Sequence, residues 1–211
     1  MFILEALRYQ HIIAIDHLEI PHEKITCLLG DSGSGKTTLL KLLVKLISPE
    51  SGTITYQGTD IKSIPTSDYR KKVIYLPQKA YIFKRTIKEN LSLGLDYHKK
   101  PYTDDDLNDV LNRVKLDKAL EDDAIHLSGG EQQRLALARI LLLDADVYLL
   151  DEPSSALDDQ SEDIMIKVLI DYIRSHQKTL VMVTHNKIIA QTHADHIIDL
   201  NKLNRKEAHH D

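Results

Sequence analysis

The stretch ITCLLGDSGSGKTTLLKLL, from Ile25 to Leu43, decides the fold. An apolar run enters, a glycine-rich loop turns, and a helical pattern leaves. The loop residues Gly30, Asp31, Ser32, Gly33, Ser34, Gly35, Lys36 and Thr37 match G-x-x-x-x-G-K-[ST] in full, and Thr38 follows in the first helical turn. Backbone N–H groups of such a loop form an anion nest, and the helix start adds the positive end of its dipole. Lys36 is placed to reach β- and γ-phosphates as a point charge, and the Thr37 hydroxyl to take a Mg²⁺ position. The competing reading is an ordinary glycine turn with a surface lysine. The entering strand and departing helix weigh against it.

A bound Mg²⁺ needs a carboxylate, and VYLLDEP supplies one. Its apolar run ends at Asp151, at the carboxyl end of a buried strand, where ligand sites of α/β folds form. Asp151 is expected to hold the metal through water. Glu152 follows, and strand alternation is expected to send it to another side, as general base for an attacking water.

A second glycine-rich helix start lies farther on, in HLSGGEQQRLALARI. Ser128 and Glu131 have capping-box spacing. Gly129 and Gly130 strip side chains from the helix start, so that a phosphate has access to its N–H groups. The chain has 8 glycines, and five of them (Gly30, Gly33, Gly35, Gly129 and Gly130) fall in these two stretches. That concentration points to two ligand-facing loops. Leu135, Ala138 and Leu142 are expected to anchor the second helix.

Working outward, the chain alternates strands and helices. ITCLLG, KVIYLPQ, DVYLLDE, TLVMVTH and DHIIDL read as buried strands of a parallel sheet. FILEALRY, DHLEIP and TITYQG read as antiparallel strands near the N-terminus. KTTLLKLLVKLI, DDDLNDVLNRVKLDKAL, EQQRLALARILLL and SEDIMIKVLIDYIRSHQ carry helical patterns. The fold class is therefore α/β: a parallel-sheet core, an N-terminal antiparallel β-subdomain, and a helical subdomain inserted at about 83–125. One domain over 1–205 with a polar tail at 206–211 is expected; NKLNRKEAHHD reads as a loose end.

Composition narrows the partners. At 211 residues with 42% hydrophobic and 28% charged residues, the chain is an ordinary globular protein. A net charge of -5 argues against a nucleic-acid partner, which favours a basic surplus. No run approaches the ~18 apolar residues of a membrane helix, and no signal peptide is evident. A cytoplasmic location is expected. Cys27 is the single cysteine, set in an apolar strand, and reads as a buried thiol.

Taken together, these segments resemble the ATP-binding subunit of an ABC transporter, from about Ile3 to Leu200. GDSGSGKT resembles the family's Walker A loop, LPQ its Q-loop, LSGGEQQR its signature, VYLLDE its Walker B strand, SALD its D-loop and VTH its switch histidine. The resemblance implies that Gln78 touches the Mg²⁺ and the attacking water. It implies that His185 contacts the γ-phosphate and that Asp158 orders the dimer interface near the phosphate loop. Tyr9 is the candidate by position for the adenine-stacking aromatic. Ser128, Gly129, Gly130 and Glu131 would close over ATP held by the Walker A loop of a second copy. The implied unit is a head-to-tail homodimer with two ATP, docked to an integral membrane permease at the inner face of the cell membrane.

YIFKRTIKENL resembles the F-x-x-T-I-x-x-N-L segment of export-type cassettes, so the expected direction is export. Two other classes compete. A non-transport ABC-type ATPase of translation or DNA repair usually has tandem cassettes or a long coiled coil, and this chain shows one cassette and no heptads. A P-loop kinase is disfavoured by Glu152 and by the LSGGE loop.

Overall fold

The structure is a computed structural model that describes residues 1–79, 81–155 and 157–204. The expected tail at 206–211, with His209 and His210, lies outside the described residues, as does Ala156 of the SALD segment. The chain divides into two compact units. One comprises Met1–Tyr75, Asp146–Glu152 and the chain from Ile173 onward; the other comprises Leu76–Ala145 and Pro153–Tyr172.

In chain order the strands of the first unit begin with β1 (Phe2–Tyr9), β2 (Ile13–Ile20) and β3 (Ile25–Leu29). Then come α1 (Lys36–Leu43), β4 (Ser51–Tyr56), the short β5 (Thr59–Asp60), α2 (Thr66–Lys72) and β6 (Val73–Leu76). The second unit holds α3 (Ile87–His98), α4 (Asp104–Arg113) and α5 (Gly129–Leu141). The chain then forms β7 (Val147–Asp151), α6 (Asp159–Ser175), β8 (Thr179–Val183), α7 (Lys187–His193), β9 (His196–Asp199) and α8 (Leu200–Asn204).

Two sheets build the first unit. The antiparallel one runs β2-β1-β4-β5, and the other runs β6-β7-β8-β3-β9, with parallel pairing of β3 to β8, β3 to β9 and β7 to β8. The non-sequential order brings the carboxyl ends of β3, β7 and β8 side by side, although they lie far apart in the chain. Leu39, Leu40, Leu42 and Leu43 of α1 are fully buried, in one core with Phe2, Leu4 and Ile54 of the antiparallel sheet and Leu149 and Val181 of the parallel sheet. Every residue of β7 and β8 is buried, as expected for central parallel strands. Cys27 is buried, and desolvation pushes its thiol up to about 12, so it is an inert core side chain.

DHIIDL departs from its expected place. The strand is an edge, paired only to β3 among the described strands, and His196 and Ile197 are exposed. Of its apolar residues, Ile198 packs against the core while Ile197 is exposed. The helical patterns of KTTLLKLLVKLI and DDDLNDVLNRVKLDKAL also stop early, at Leu43 and Arg113. In each case a lysine beyond the cap turns left-handed, Lys45 at φ 58 and Lys115 at φ 57. The next amide then reaches back: Leu46 N to Lys41 O at 2.9 Å, and Leu116 N to Leu111 O at 2.9 Å. This is the Schellman closure, made here without the glycine that announces it in sequence.

In the second unit, Leu107, Val110, Leu111 and Val114 are buried, the face expected for α4. On α5 the buried set is wider than expected and includes Leu135, Leu137, Ala138, Ile140 and Leu141, whereas Leu142 is half-buried. The Tyr172 hydroxyl caps the end of this helix by donating to Leu141 O at 3.2 Å.

Candidate nucleotide site

In the first unit, β3 delivers the phosphate loop to the sheet's carboxyl edge, and α1 departs from it. Gly35 is the N-cap of α1 with φ 95, and no side chain caps this helix. A Cβ on Gly35 would lie 2.7 Å from Ile13 Cδ1, so both backbone angle and packing demand glycine there. Lys36 is buried, and its ammonium donates to Gly30 O at 2.7 Å and Asp31 O at 2.8 Å. The loop thus folds around its own cation, and the charge stands where phosphate oxygens would arrive. Asp31, Ser32, Gly33 and Thr37 are exposed, while Ser34 and Thr38 are half-buried. A cleft of about 510 Å³ opens beside the loop, lined by Gly30, Asp31, Ser32, His185, Lys187 and Asn201 among others.

Asp151 closes β7 as a buried carboxylate at 4% exposure. The Tyr75 phenol on β6 donates to its Oδ2 at 3.1 Å. Burial first, and then the Asp151 charge and hydrogen bond, push the Tyr75 phenol far above the usual tyrosine range. Asp151 and Thr37 would offer hard oxygen donors of the kind Mg²⁺ takes, and no group of three or more His, Cys, Asp or Glu that could hold a metal occurs among the described residues. Mg²⁺ is ordinarily held by one or two carboxylates plus substrate phosphates.

Glu152 is aimed differently from the expectation of strand alternation. Strand β7 ends at Asp151, and Glu152 takes a left-handed conformation at φ 47 while its N–H still donates to Val183 O at 3.1 Å. The turn, rather than the pleat, sets its direction. Strained backbone of this kind costs on the order of 1–3 kcal/mol and persists only where surrounding structure fixes it. Glu152 Oε1 lies 2.6 Å from His185 Nε2, with the glutamate side chain 19% exposed and the histidine 59% exposed. The structure therefore brings together the two residues read as base and switch histidine, one beyond β7 and the other beyond β8.

Tyr9 ends β1 at the hairpin turn, half-buried against the core of this unit, and its carbonyl accepts from Ile12 N at 3.2 Å. Ile12 of the same turn and Ile13 at the start of β2 abut Gly35. The turn is a wall of the phosphate loop.

The second unit holds the remaining expected residues. Ser128 is the N-cap of α5, with Ser128 N donating to Glu131 Oε2 at 2.8 Å and Glu131 N to Ser128 Oγ at 3.3 Å. Lys118 pairs with Glu131 at 3.1 Å. The Ser128 backbone amide first, then Lys118 and the Ser128 hydroxyl, hold the Glu131 carboxyl below its usual value. Gly129 is exposed, whereas Gly130 is half-buried, and a Cβ there would meet Leu157 Cδ2 at 2.8 Å. Glycine at 130 thus has a packing reason as well as a ligand-facing one. Gln78 is exposed. Asp158 caps α6, its carboxylate accepting from Ser161 N at 2.9 Å and Ser161 Oγ at 3.0 Å.

Several site neighbours escaped the sequence reading. Asn201, read as the start of a loose end, belongs to α8, and its side-chain oxygen accepts from Asp31 N at 3.3 Å. Buried Gln133 on α5 donates to Pro153 O at 2.5 Å and to Gln78 O at 3.4 Å. Arg139, farther along α5, donates to Tyr81 O at 3.0 Å and lies 5.6 Å from the Phe83 ring. The same segment is tied to α3 by buried Asn90, which accepts from Phe83 N at 2.9 Å and donates to Phe83 O at 3.0 Å. No residue-level signal marked Tyr75, Gln133 or Asn201, because each acts on a partner distant in sequence.

The chain is similar to several known proteins. The family model described as ABC transporter matches residues 15–155. The chain is 37% identical over 194 residues to the lactococcin-G-processing and transport ATP-binding protein LagD of Lactococcus lactis subsp. lactis, covering 88% of this chain and 27% of that protein. It is 36% identical over 200 residues to the sulfate/thiosulfate import ATP-binding protein CysA of Mycobacterium bovis, covering 92% of this chain and 56% of that protein. The chain thus spans about a quarter to a half of the length of these relatives. Among solved structures, a dimeric ATP-binding cassette in a post-hydrolysis state bound to ADP and Pi superimposes with TM-score 0.83 at 25% identity, covering 94% of each chain. A bacterial Atm1-family ABC exporter with ATP bound shares the fold, with TM-score 0.84 at 22% identity over 94% of this chain and 36% of that one.

Proposed function

Because the chain belongs to the ABC transporter family, we propose that it is the ATP-hydrolysing subunit of a transporter and drives a membrane permease. The observation that supports this best is the Glu152–His185 contact of 2.6 Å at the carboxyl ends of neighbouring strands, beside the phosphate-loop cleft. The whole of 1–205 serves as one ATPase domain, with 83–125 as its inserted helical part. The site residues act as follows. The loop from Gly30 to Gly35 and the Lys36 ammonium bind the β- and γ-phosphates, with Thr38 in the first turn behind them and Tyr9 against the adenine. Asp151 and Thr37 would hold Mg²⁺, with Gln78 as the further contact that the family resemblance implies, and the ion would neutralise charge on the phosphate oxygens. Glu152 accepts a proton from water as the water attacks the γ-phosphorus in line and the bond to the β–γ bridging oxygen breaks, releasing ADP, and His185 orients that carboxylate and faces the γ-phosphate.

Ser128, Gly129, Gly130 and Glu131 complete the site of a second copy, and Asp158 lies at the junction, so the active unit is a homodimer. Its place is the cytoplasmic face of the membrane, held there by the permease. No described helix is long and apolar enough to cross a membrane. Export is the direction favoured by the TIKENL segment and supported by the likeness to a lactococcin transporter. Import is the second reading, on the match to a sulfate importer.

Replacing Glu152 with Gln tests the chemistry. Phosphate release is expected to fall by about 10²- to 10⁴-fold while ATP still binds and, by light scattering, holds a dimer. Release at the wild-type rate from a protein that binds ATP normally would remove Glu152 from the role of base.

A further inference from the structure

Asp151 sits at the end of a strand whose side chains are all buried, and its own carboxylate is almost fully removed from water. The plane of a metal-holding carboxylate sets where its oxygen lone pairs point, so rotation about Cβ–Cγ away from that plane weakens its hold. Metal-holding carboxylates are usually hydrogen-bonded in turn by a second layer of side chains. In this chain the neighbouring strand β6 supplies that partner: Tyr75 Oη donates to Asp151 Oδ2 at 3.1 Å across the sheet edge. The bond occupies one oxygen and leaves Oδ1 as the one to present. Tyr75 is half-buried and packs against the core, so its ring is itself fixed.

We propose that Tyr75 is a positioning residue for the metal site: its phenol holds Asp151 Oδ2 and thereby orients Oδ1 toward the Mg²⁺ of the bound nucleotide. This rests on the reading of Asp151 as the metal-holding carboxylate. Tyr75 touches neither nucleotide nor metal. Its contribution is the loss of rotational freedom in Asp151 before the metal arrives. A tyrosine that merely satisfied a buried acceptor would stabilise the fold and leave metal affinity untouched. The two roles therefore separate in measurement.

The test uses the whole chain with a non-hydrolysable ATP analogue and Mn²⁺ as the probe, read by electron paramagnetic resonance. Tyr75→Phe removes one oxygen atom and is expected to weaken Mn²⁺ binding to the nucleotide complex by about tenfold. Nucleotide affinity in EDTA stays at the wild-type value. Asp151→Asn is measured alongside. If Asp151→Asn binds Mn²⁺ like wild type, the metal-site reading itself fails. If Asp151→Asn loses Mn²⁺ while Tyr75→Phe binds it like wild type, the assignment to Tyr75 is overturned and the metal site stands. A lower melting temperature in Tyr75→Phe with unchanged Mn²⁺ affinity also overturns it. Should the Phe variant fail to fold, Tyr75→Met, of similar reach and without a donor, is put through the same titration with the same two outcomes.

Discussion

The two glycine-rich helix starts of this chain meet the same physical problem in opposite ways. A helix start leaves backbone N–H groups without intrahelical partners. At α5 the chain answers with its own side chains: Ser128 and Glu131 cap each other's amides, and Glu131 sets a negative charge against the positive end of the dipole. At α1 no side chain caps the helix and no acidic residue stands in its first turn. Instead a buried lysine lies inside the loop, bonded to the loop's carbonyls. The first start leaves its amides uncapped by side chains, as the proposed phosphate site requires. The second is already stable without one, and any phosphate that meets it must share the site with Glu131. The difference teaches that a glycine-rich start is not by itself a binding site; what matters is how its donors are otherwise met.

That contrast can be broken most decisively at the lysine. Lys36→Ala is expected to weaken ATP binding to the isolated chain by about 10- to 100-fold, the size of lost charge-assisted hydrogen bonds. Ser128→Ala should leave the same affinity within about twofold, since its capping role is satisfied internally. Equal losses in a calorimetric titration would show that the two starts are alike after all.

A smaller effect is expected at Gln133, which ties α5 to Pro153 O and Gln78 O. Gln133→Leu removes the donor to the buried Pro153 O and should cost about 1–3 kcal/mol of stability in a urea titration. No loss of stability would mean that α5 is held by its apolar face alone.

The smallest effect sharpens the capping contrast. Ser128→Ala is expected to cost about 1 kcal/mol of stability at neutral pH. The Glu131 carboxyl is held below its ordinary value in the folded chain, so its contribution is fully present above the unfolded value and fades as pH falls through the folded one. Stability of Glu131→Gln should accordingly trail that of the wild type at pH 7 and converge with it at low pH. A gap that persists through acid would assign the effect to shape rather than charge.

Much of the site was legible because its signals are local. The strand, loop and helix around Gly30 to Thr37 are contiguous, and the Ser128–Glu131 box needs only its three-residue spacing. Helix ends at Leu43 and Arg113 were not legible, because Lys45 and Lys115 adopt the left-handed turn that sequence reading reserves for glycine. Nor was the edge position of β9, since an apolar run reads alike at the centre and at the rim of a sheet.

What the sequence determined by itself, then, was each local device: the phosphate loop with its lysine, the two carboxylates closing an apolar strand, the capped second helix and the alternation that makes a parallel sheet. Tertiary structure alone decided which of these devices meet. Glu152 finds His185 across 33 positions, Tyr75 finds Asp151 across 76, and Asp31 finds Asn201 across 170. Those pairings follow from the strand order β6-β7-β8-β3-β9. That order is fixed by how the strands pair and pack in the folded sheet, which no spacing along the chain encodes.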